Sequence, residues 1–428
     1  MTAGIVAFII FAGTLYLIFS EKLNRSIASL AGAVFMLVAG HLFGFYSEKQ
    51  AIESIDAQTI GLLFGMMVLV ALLEPTGFFQ YLAVMAGRAS KGKPVRLLVI
   101  LGAITTLLSM FLDNVTTVVL IAPVTILICE ILGINVAPFL ISEALLSNTG
   151  GIATLVGDPP NVLIASASGL TFIDFITHSL PLIAIVWIIT LFLLRYLFRA
   201  ELAVVSEDAD SIMSLNPKAA LVDRRTAKKV LIILAGAILL FFLQKLLGVS
   251  PSFIALLAAS SALAWVRPDI RKTLEKIEWS VLVFFIALFI LVGGLEAAGL
   301  LNMFANLILK LNNTTPIILS VGLLWLVAGL SAIVDNIPMT IALIPVIQSL
   351  EASGMNVTPL WWALAFGAGL GGNGTIIGST ANVVVASLSE RTRTPITSAL
   401  WNKRGLPVML TALIVTTILF VAAFRYFS

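Results

Sequence analysis

GGIATLVGDPPNVLIAS, residues 150–166, returns in the second half of the chain as GGNGTIIGSTANVVVAS, residues 371–387. Gly150, Gly151, Thr154, Gly157, Asn161, Val162, Ala165 and Ser166 find identical partners 221 residues on. Apolar segments resemble one another by chance, but chance does not hold glycine and asparagine landmarks in register. Working outward, Asp113-Asn114 recurs as Asp335-Asn336, and the pair Glu74 and Gly77 as Glu296 and Gly299, both at an offset of 222. The chain is therefore read as two copies of one unit.

The medium those copies live in follows from composition. Of 428 residues, 60% are hydrophobic and 11% charged, against roughly 25% charged in a soluble domain. With a mean hydropathy of +1.09, uninterrupted apolar runs indicate a polytopic helical membrane protein. A β-barrel would alternate in segments of ~10 residues instead. One cysteine, Cys129, and two distant histidines, His41 and His178, give neither a disulfide framework nor a metal-ligand spacing. No cofactor motif and no nucleic-acid signature is present. GAGLGG (367–372) fits G-x-G-x-x-G but follows no strand, so it reads as a close-packing helix face.

Spans are expected at about 2–20, 27–45, 57–74, 136–165 and 172–198 in the first copy, residues 1–199. The second copy, 230–428, gives 230–248, 251–266, 279–296, 357–388 and 405–427. The stretches 95–132 and 316–350 are each interrupted by an Asp-Asn pair and are read as re-entrant hairpins. Residues 200–229 form a polar cytoplasmic linker. This layout puts all basic residues except Lys49, Lys245, Lys310 and Arg425 on the cytoplasmic side, with both termini outside it. Five spans is an odd number, so the second copy is inverted. The fold class is an all-α polytopic membrane protein of two inverted repeats, five transmembrane helices each, with hairpins and broken helices. Such repeats mark secondary transporters.

The polar residues inside the apolar runs name the expected site. A carboxylate at bilayer depth costs at least ~2.5 kcal/mol, yet Asp113, Asp158 and Asp335 all lie there. Asp113 and Asp335 sit in turn-forming contexts at hairpin tips with no lysine or arginine near them in any core span. Either a proton or a small cation must then balance them, which makes the three aspartates candidate ion-coupling residues. Gly157 and the Pro159-Pro160 pair should break the helix near 157–161, and Gly372, Gly374 and Gly378 its counterpart. Backbone freed in this way is tolerated only where it lines a cavity. Asn161 and Asn382 are expected to cap the restarted helices. The candidate solute-binding set is Asn114, Thr116, Thr117, Asn148, Thr149, Gly150, Gly157, Asn161, Asn336, Thr340, Asn373, Thr375, Gly378 and Asn382.

The Asp-Asn-x-x-Thr tip (113–117) and the G-D-P-P-N break (157–161) resemble the ion-transporter superfamily, in the branch of arsenite permeases, NhaD-type sodium–proton antiporters and the melanosomal P protein. In the related dicarboxylate carriers, Ser-Asn-Thr tips bind Na⁺. The resemblance implies elevator-type motion, often in a dimer, and aspartate in place of serine suggests H⁺ as the coupling ion, with Na⁺ the alternative. It leaves room for a homodimer and for a cytoplasmic ATPase subunit on the basic loops. The expected function is a proton-coupled arsenite/antimonite efflux permease in a bacterial inner membrane, a small neutral trihydroxide suiting a core without basic residues. The competing readings are a Na⁺/H⁺ antiporter, an anion or dicarboxylate carrier and, in another class, an anion channel. No enzymatic reaction is expected.

Overall fold

The computed structural model describes residues 2–19, 23–204, 209–300 and 315–428; Lys22 and Lys310, used above in the charge count, lie outside them. The described residues form helices joined by turns and loops, with no strand. In chain order the first half holds α1 (Thr2–Phe19), α2 (Arg25–Phe43), α3 (Ala57–Leu73), α4 (Phe78–Ser90), α5 (Pro94–Ser109), α6 (Asn114–Ile131), α7 (Ala137–Gly151), α8 (Pro159–Ser168) and α9 (Leu180–Leu197). The second holds α10 (Arg224–Leu247), α11 (Pro251–Val266), α12 (Trp279–Ala297), α13 (Pro316–Ser331), α14 (Asn336–Ala352), α15 (Thr358–Gly371), α16 (Thr380–Ser389) and α17 (Ser398–Ala422).

Local chemistry sets these boundaries. Asn24 and Asp56 accept the backbone N–H groups of Ser26 and Gln58 and so start α2 and α3. Pro94, Pro251 and Pro316 stand in first turns, where a missing N–H costs nothing. Among the described residues, seven helical stretches are long and apolar enough to cross a membrane: 25–43, 57–76, 114–131, 172–197, 224–247, 279–297 and 398–422. Shorter apolar helices lie at 3–18, 94–109, 251–266, 316–331 and 380–389.

Both Asp-Asn interruptions are hairpin tips. Asp113 is the N-cap of α6 and Asp335 that of α14. One detail departs from the re-entrant expectation: α6, the return arm of the first hairpin, is by itself long enough to cross. Both expected breaks are present, between α7 and α8 and between α15 and α16. The prolines play another part than predicted. Pro159 and Pro160 open α8, pre-set for its first turn, rather than interrupt a running helix.

Asn161 and Asn382 do not cap the restarted helices; Asp158 and Ser379 occupy the N-cap positions. Set one turn into α8, the Asn161 amide points back to the carbonyls the break has freed. It donates to Thr154 O at 2.8 Å and to Gly151 O and Ile152 O at 3.2 Å. Asn382 does the same for Gly372 O at 2.7 Å and Thr375 O at 2.9 Å. The duplication extends to the hairpins. Ser109 donates to Ser147 O at 2.8 Å as Ser331 does to Ala368 O at 2.7 Å, and Thr154 to Met110 O as Thr375 to Ala332 O. A buried carbonyl at the break left without a donor would cost ~1–3 kcal/mol.

Glycine permits the close approach at the break. A Cβ on Gly157 would lie 2.6 Å from Ser109 O and 2.7 Å from Gly151 O, both main-chain atoms. Gly157→Ala is therefore expected to cost about 3 kcal/mol, visible as loss of the monodisperse peak in size exclusion. A normal elution profile and melting midpoint would show that the loop yields. The GAGLGG segment behaves as a packing face: a Cβ on Gly367 or Gly371 would meet the Leu324 or Ala328 carbonyl of α13 at 2.7 and 2.5 Å.

The described parts of the segment between the halves make contacts with both of them. Glu201 pairs with Arg404 of α17 at 2.7 Å. The Ala220 carbonyl rests against Gly77, whose Cβ, if present, would lie 1.9 Å from it, and Asp223 N–H donates to Thr76 O at 3.2 Å. Hydrogen bonds from Thr226 hold the Asp223 carboxyl below its usual range as the cap of α10. Just before α12, Lys276 reaches Glu74 at 2.9 Å.

Candidate functional site

The two tips and the two breaks meet. The second tip faces the break of the first half directly, Asn336 donating to the Asp158 carboxylate at 3.3 and 3.4 Å, while the first tip is joined to the second break through Asn148 of α7, whose Oδ1 accepts from Asn114 at 3.0 Å and from Ser379 at 3.1 Å. Between them is a chamber of about 50 Å³. Asp113, Asn114, Asp158, Asp335 and Asn336 line it, with an apolar wall from Leu62, Leu63, Met66 and Met67 of α3.

The tips are alike in backbone role and unlike in charge. Asp113 is satisfied locally, Oδ1 by Thr116 N–H at 2.8 Å and Oδ2 by the Thr116 hydroxyl at 2.5 Å. Asp335 accepts Ile337 N–H at 3.2 Å on Oδ1. Its Oδ2 takes the Thr380 hydroxyl at 3.0 Å and the Arg25 guanidinium at 3.2 Å. This corrects the expectation that neither tip has a counter-charge. Arg25 opens α2 and reaches Asp335 from 310 positions away in sequence. Glu278, just before α12, is a second unforeseen lining residue. It stands 222 residues after Asp56, so the repeat offset itself could have revealed it. Asp56 caps its helix, whereas the Glu278 carboxylate makes no capping bond and faces the chamber.

Four carboxylates and one guanidinium thus share a small space. In a low-dielectric chamber that surplus of acid is costly unless a cation balances it. The acids do not converge on one point, and among the described residues no three His, Cys, Asp or Glu side chains could hold a metal ion together. The arrangement can take up H⁺, or a Na⁺ completed by carbonyl and hydroxyl oxygens.

The remaining sequence candidates stand behind the chamber. Asn148 is the hub. It donates to Asn373 Oδ1 at 2.9 Å and Asn382 Oδ1 at 3.0 Å, besides accepting from Asn114 and Ser379. Asn373 donates to Leu145 O and Thr149 Oγ1, both at 3.4 Å. Thr116 serves Asp113 and Thr340 donates to Asn336 O at 2.8 Å. Thr117 is fully buried, and Gly150 packs on Thr106 of α5. Gly157, Asn161, Thr375 and Gly378 belong to the breaks described above, Gly378 lying against Gly372 and Ser331. Five of the named residues line the chamber; the others lie behind it.

The profile of a family described as "Citrate transporter" (CitMHS) matches residues 15–367. A 46 kDa membrane protein of Mycobacterium leprae is 38% identical over 95% of each chain. The human P protein is 34% identical over 90% of this chain and 56% of its own length. Among solved structures, the Alcanivorax borkumensis YdaH transporter, whose crystal structure was described as having an unusual topology, shares the fold. Its TM-score is 0.54 at 17% identity, covering 86% of this chain and 88% of that one.

Proposed function

The chain belongs to the citrate transporter family and is a membrane transporter, and on that footing we propose cation-coupled secondary transport through the chamber between the hairpin tips. The observation that carries the reading is the meeting of Asp113, Asp158 and Asp335, from both halves, in one small buried space with a single guanidinium. H⁺ or Na⁺ balances the carboxylates on one side of the membrane and leaves on the other. An anion channel gains nothing from such an excess of negative charge. Movement of the paired tips and breaks as one body supplies alternating access, in a bacterial cytoplasmic membrane.

The solute proposed first is a small carboxylate anion. Arg25 supplies a cationic partner, and the matched family is described by citrate. The arsenite or antimonite reading was argued from a core without basic residues, a premise that Arg25 removes. What favours it still is the chamber's size of about 50 Å³.

Citrate uptake into phosphatidylethanolamine/phosphatidylglycerol proteoliposomes, with imposed H⁺ or Na⁺ gradients, tests the proposal. Wild type is expected to accumulate citrate only with a gradient, and Asp113→Asn to lose about tenfold or more of that uptake, ~1.4 kcal/mol, while still inserting. Equal flux without a gradient favours a channel. Arsenite protection of an export-deficient bacterium, with no citrate flux, favours the second reading.

A further inference from the structure

Arg25 and Asp335, counted above among the chamber's charges, also face a second space. On one side of them is the chamber. On the other is a wider vestibule of about 360 Å³, bounded by Ile18, Leu23, Asn24, Ile333, Ile377 and Val383. Arg25, Asp335 and Thr380 line both spaces, so these three side chains are the partition between them.

The partition is a closed triangle. One guanidinium nitrogen of Arg25 donates to Asp335 Oδ2 at 3.2 Å and to Thr380 Oγ1 at 2.5 Å, and the Thr380 hydroxyl in turn donates to Asp335 Oδ2 at 3.0 Å. The guanidinium also lies over the Phe284 ring, 5.5 Å from its centre. The Arg25 side chain is 31% exposed and that of Asp335 16%, so the pair is reachable from the vestibule. Among the described residues of the vestibule wall, Arg25 and Asp335 are the only charged ones. Their charges cancel while they are paired. Once a cation balances Asp335, the described wall of the vestibule carries one uncompensated positive charge in a fork suited to two carboxylate oxygens.

Resting on the coupled-transport reading, we propose that Arg25 is the oxyanion-recognising group of this transporter, masked by Asp335 and unmasked when a cation loads that aspartate. Arg25 acts as a tethered cation in the Asp335 site. The coupling ion displaces it, and the released guanidinium, with Asn24 and Thr380 beside it, takes a carboxylate group of the solute. Cation and anion then load together because each takes one partner of the same ion pair. Among the described residues Asp113 is bonded to Thr116 and to no cation, so the exchange belongs to the second hairpin.

A binding cycle at fixed pH tests this without any flux. Citrate, succinate and phosphate are titrated into the full chain in mild detergent at pH 7.5, for wild type, Asp335→Asn, Arg25→Gln and the double variant. Asp335→Asn, which mimics the loaded aspartate, is expected to bind citrate about tenfold tighter than wild type, ~1.4 kcal/mol. Arg25→Gln and the double variant are both expected to bind about tenfold weaker. Arg25→Lys, which keeps the charge, is expected to restore most of the affinity and so to separate recognition from folding. Three results overturn the proposal: a double variant that binds as Asp335→Asn does, an Asp335→Asn variant no tighter than wild type, or no oxyanion bound by any variant. If the cycle holds while proteoliposomes show no gradient-driven uptake, the coupled-transport reading fails and the receptor stands.

Discussion

Asp158→Asn is expected to reduce gradient-driven uptake about a hundredfold, ~2.7 kcal/mol, in a protein that folds and inserts normally. Asp158 is the most deeply buried of the chamber's carboxylates, 1% exposed, and its recorded partner is the Asn336 amide. The matching position in the second half is Ser379, whose backbone angles, φ −150° and ψ 140°, nearly reproduce the −141° and 133° of Asp158. An uncharged residue is therefore already accommodated at this point of the break, and the substitution removes charge while leaving shape. Uptake in proteoliposomes and melting in detergent separate the two effects. Unimpaired gradient-driven uptake would remove Asp158 from the coupling step.

Asn148→Leu should strike stability instead. The side chain joins four partners from three directions: Asn114 on the first hairpin, Asn373 and Ser379 in the second break, and Asn382 on α16. All are buried. Leucine has similar bulk but leaves two donors and two acceptors without partners, each costing ~1–3 kcal/mol. Some will find others, so a net loss on the order of 4 kcal/mol is expected, read as a lowered unfolding midpoint in mild detergent. A midpoint within error of wild type would mean that the amide cluster is held by packing alone.

The hub also marks where the repeat parts company with itself. Asn148 corresponds to Gly369, and Asn373 to Ile152. One crossing of the breaks is an amide pair. Its mirror image is Ile152 set so close over Gly369 that a Cβ there would lie 2.3 Å from it. Alignment shows that these positions differ; only coordinates show that they are two ends of the same crossing.

What could be read in the sequence had short-range causes. Aspartate caps a helix within three residues and glycine and proline act on their own backbone, so the tips at 113 and 335 and both breaks were legible. Their duplication made them credible. The aspartates' meeting in one chamber followed from inverted symmetry. What stayed hidden depends on distance in the chain. Arg25 looked like a flanking charge, because the apolar run that follows it gives no sign that Asp335 lies opposite. The capping role expected of Asn161 failed for a related reason: the carbonyls that attract its amide exist only because the preceding helix stops at Gly151.

The corner at Glu74–Phe78 receives two later parts of the chain, Ala220 with Asp223 on one side and Lys276 on the other. During synthesis that corner leaves the ribosome long before either of them. The first half must then wait in the bilayer with its seat vacant, and contacts so remote in sequence close late.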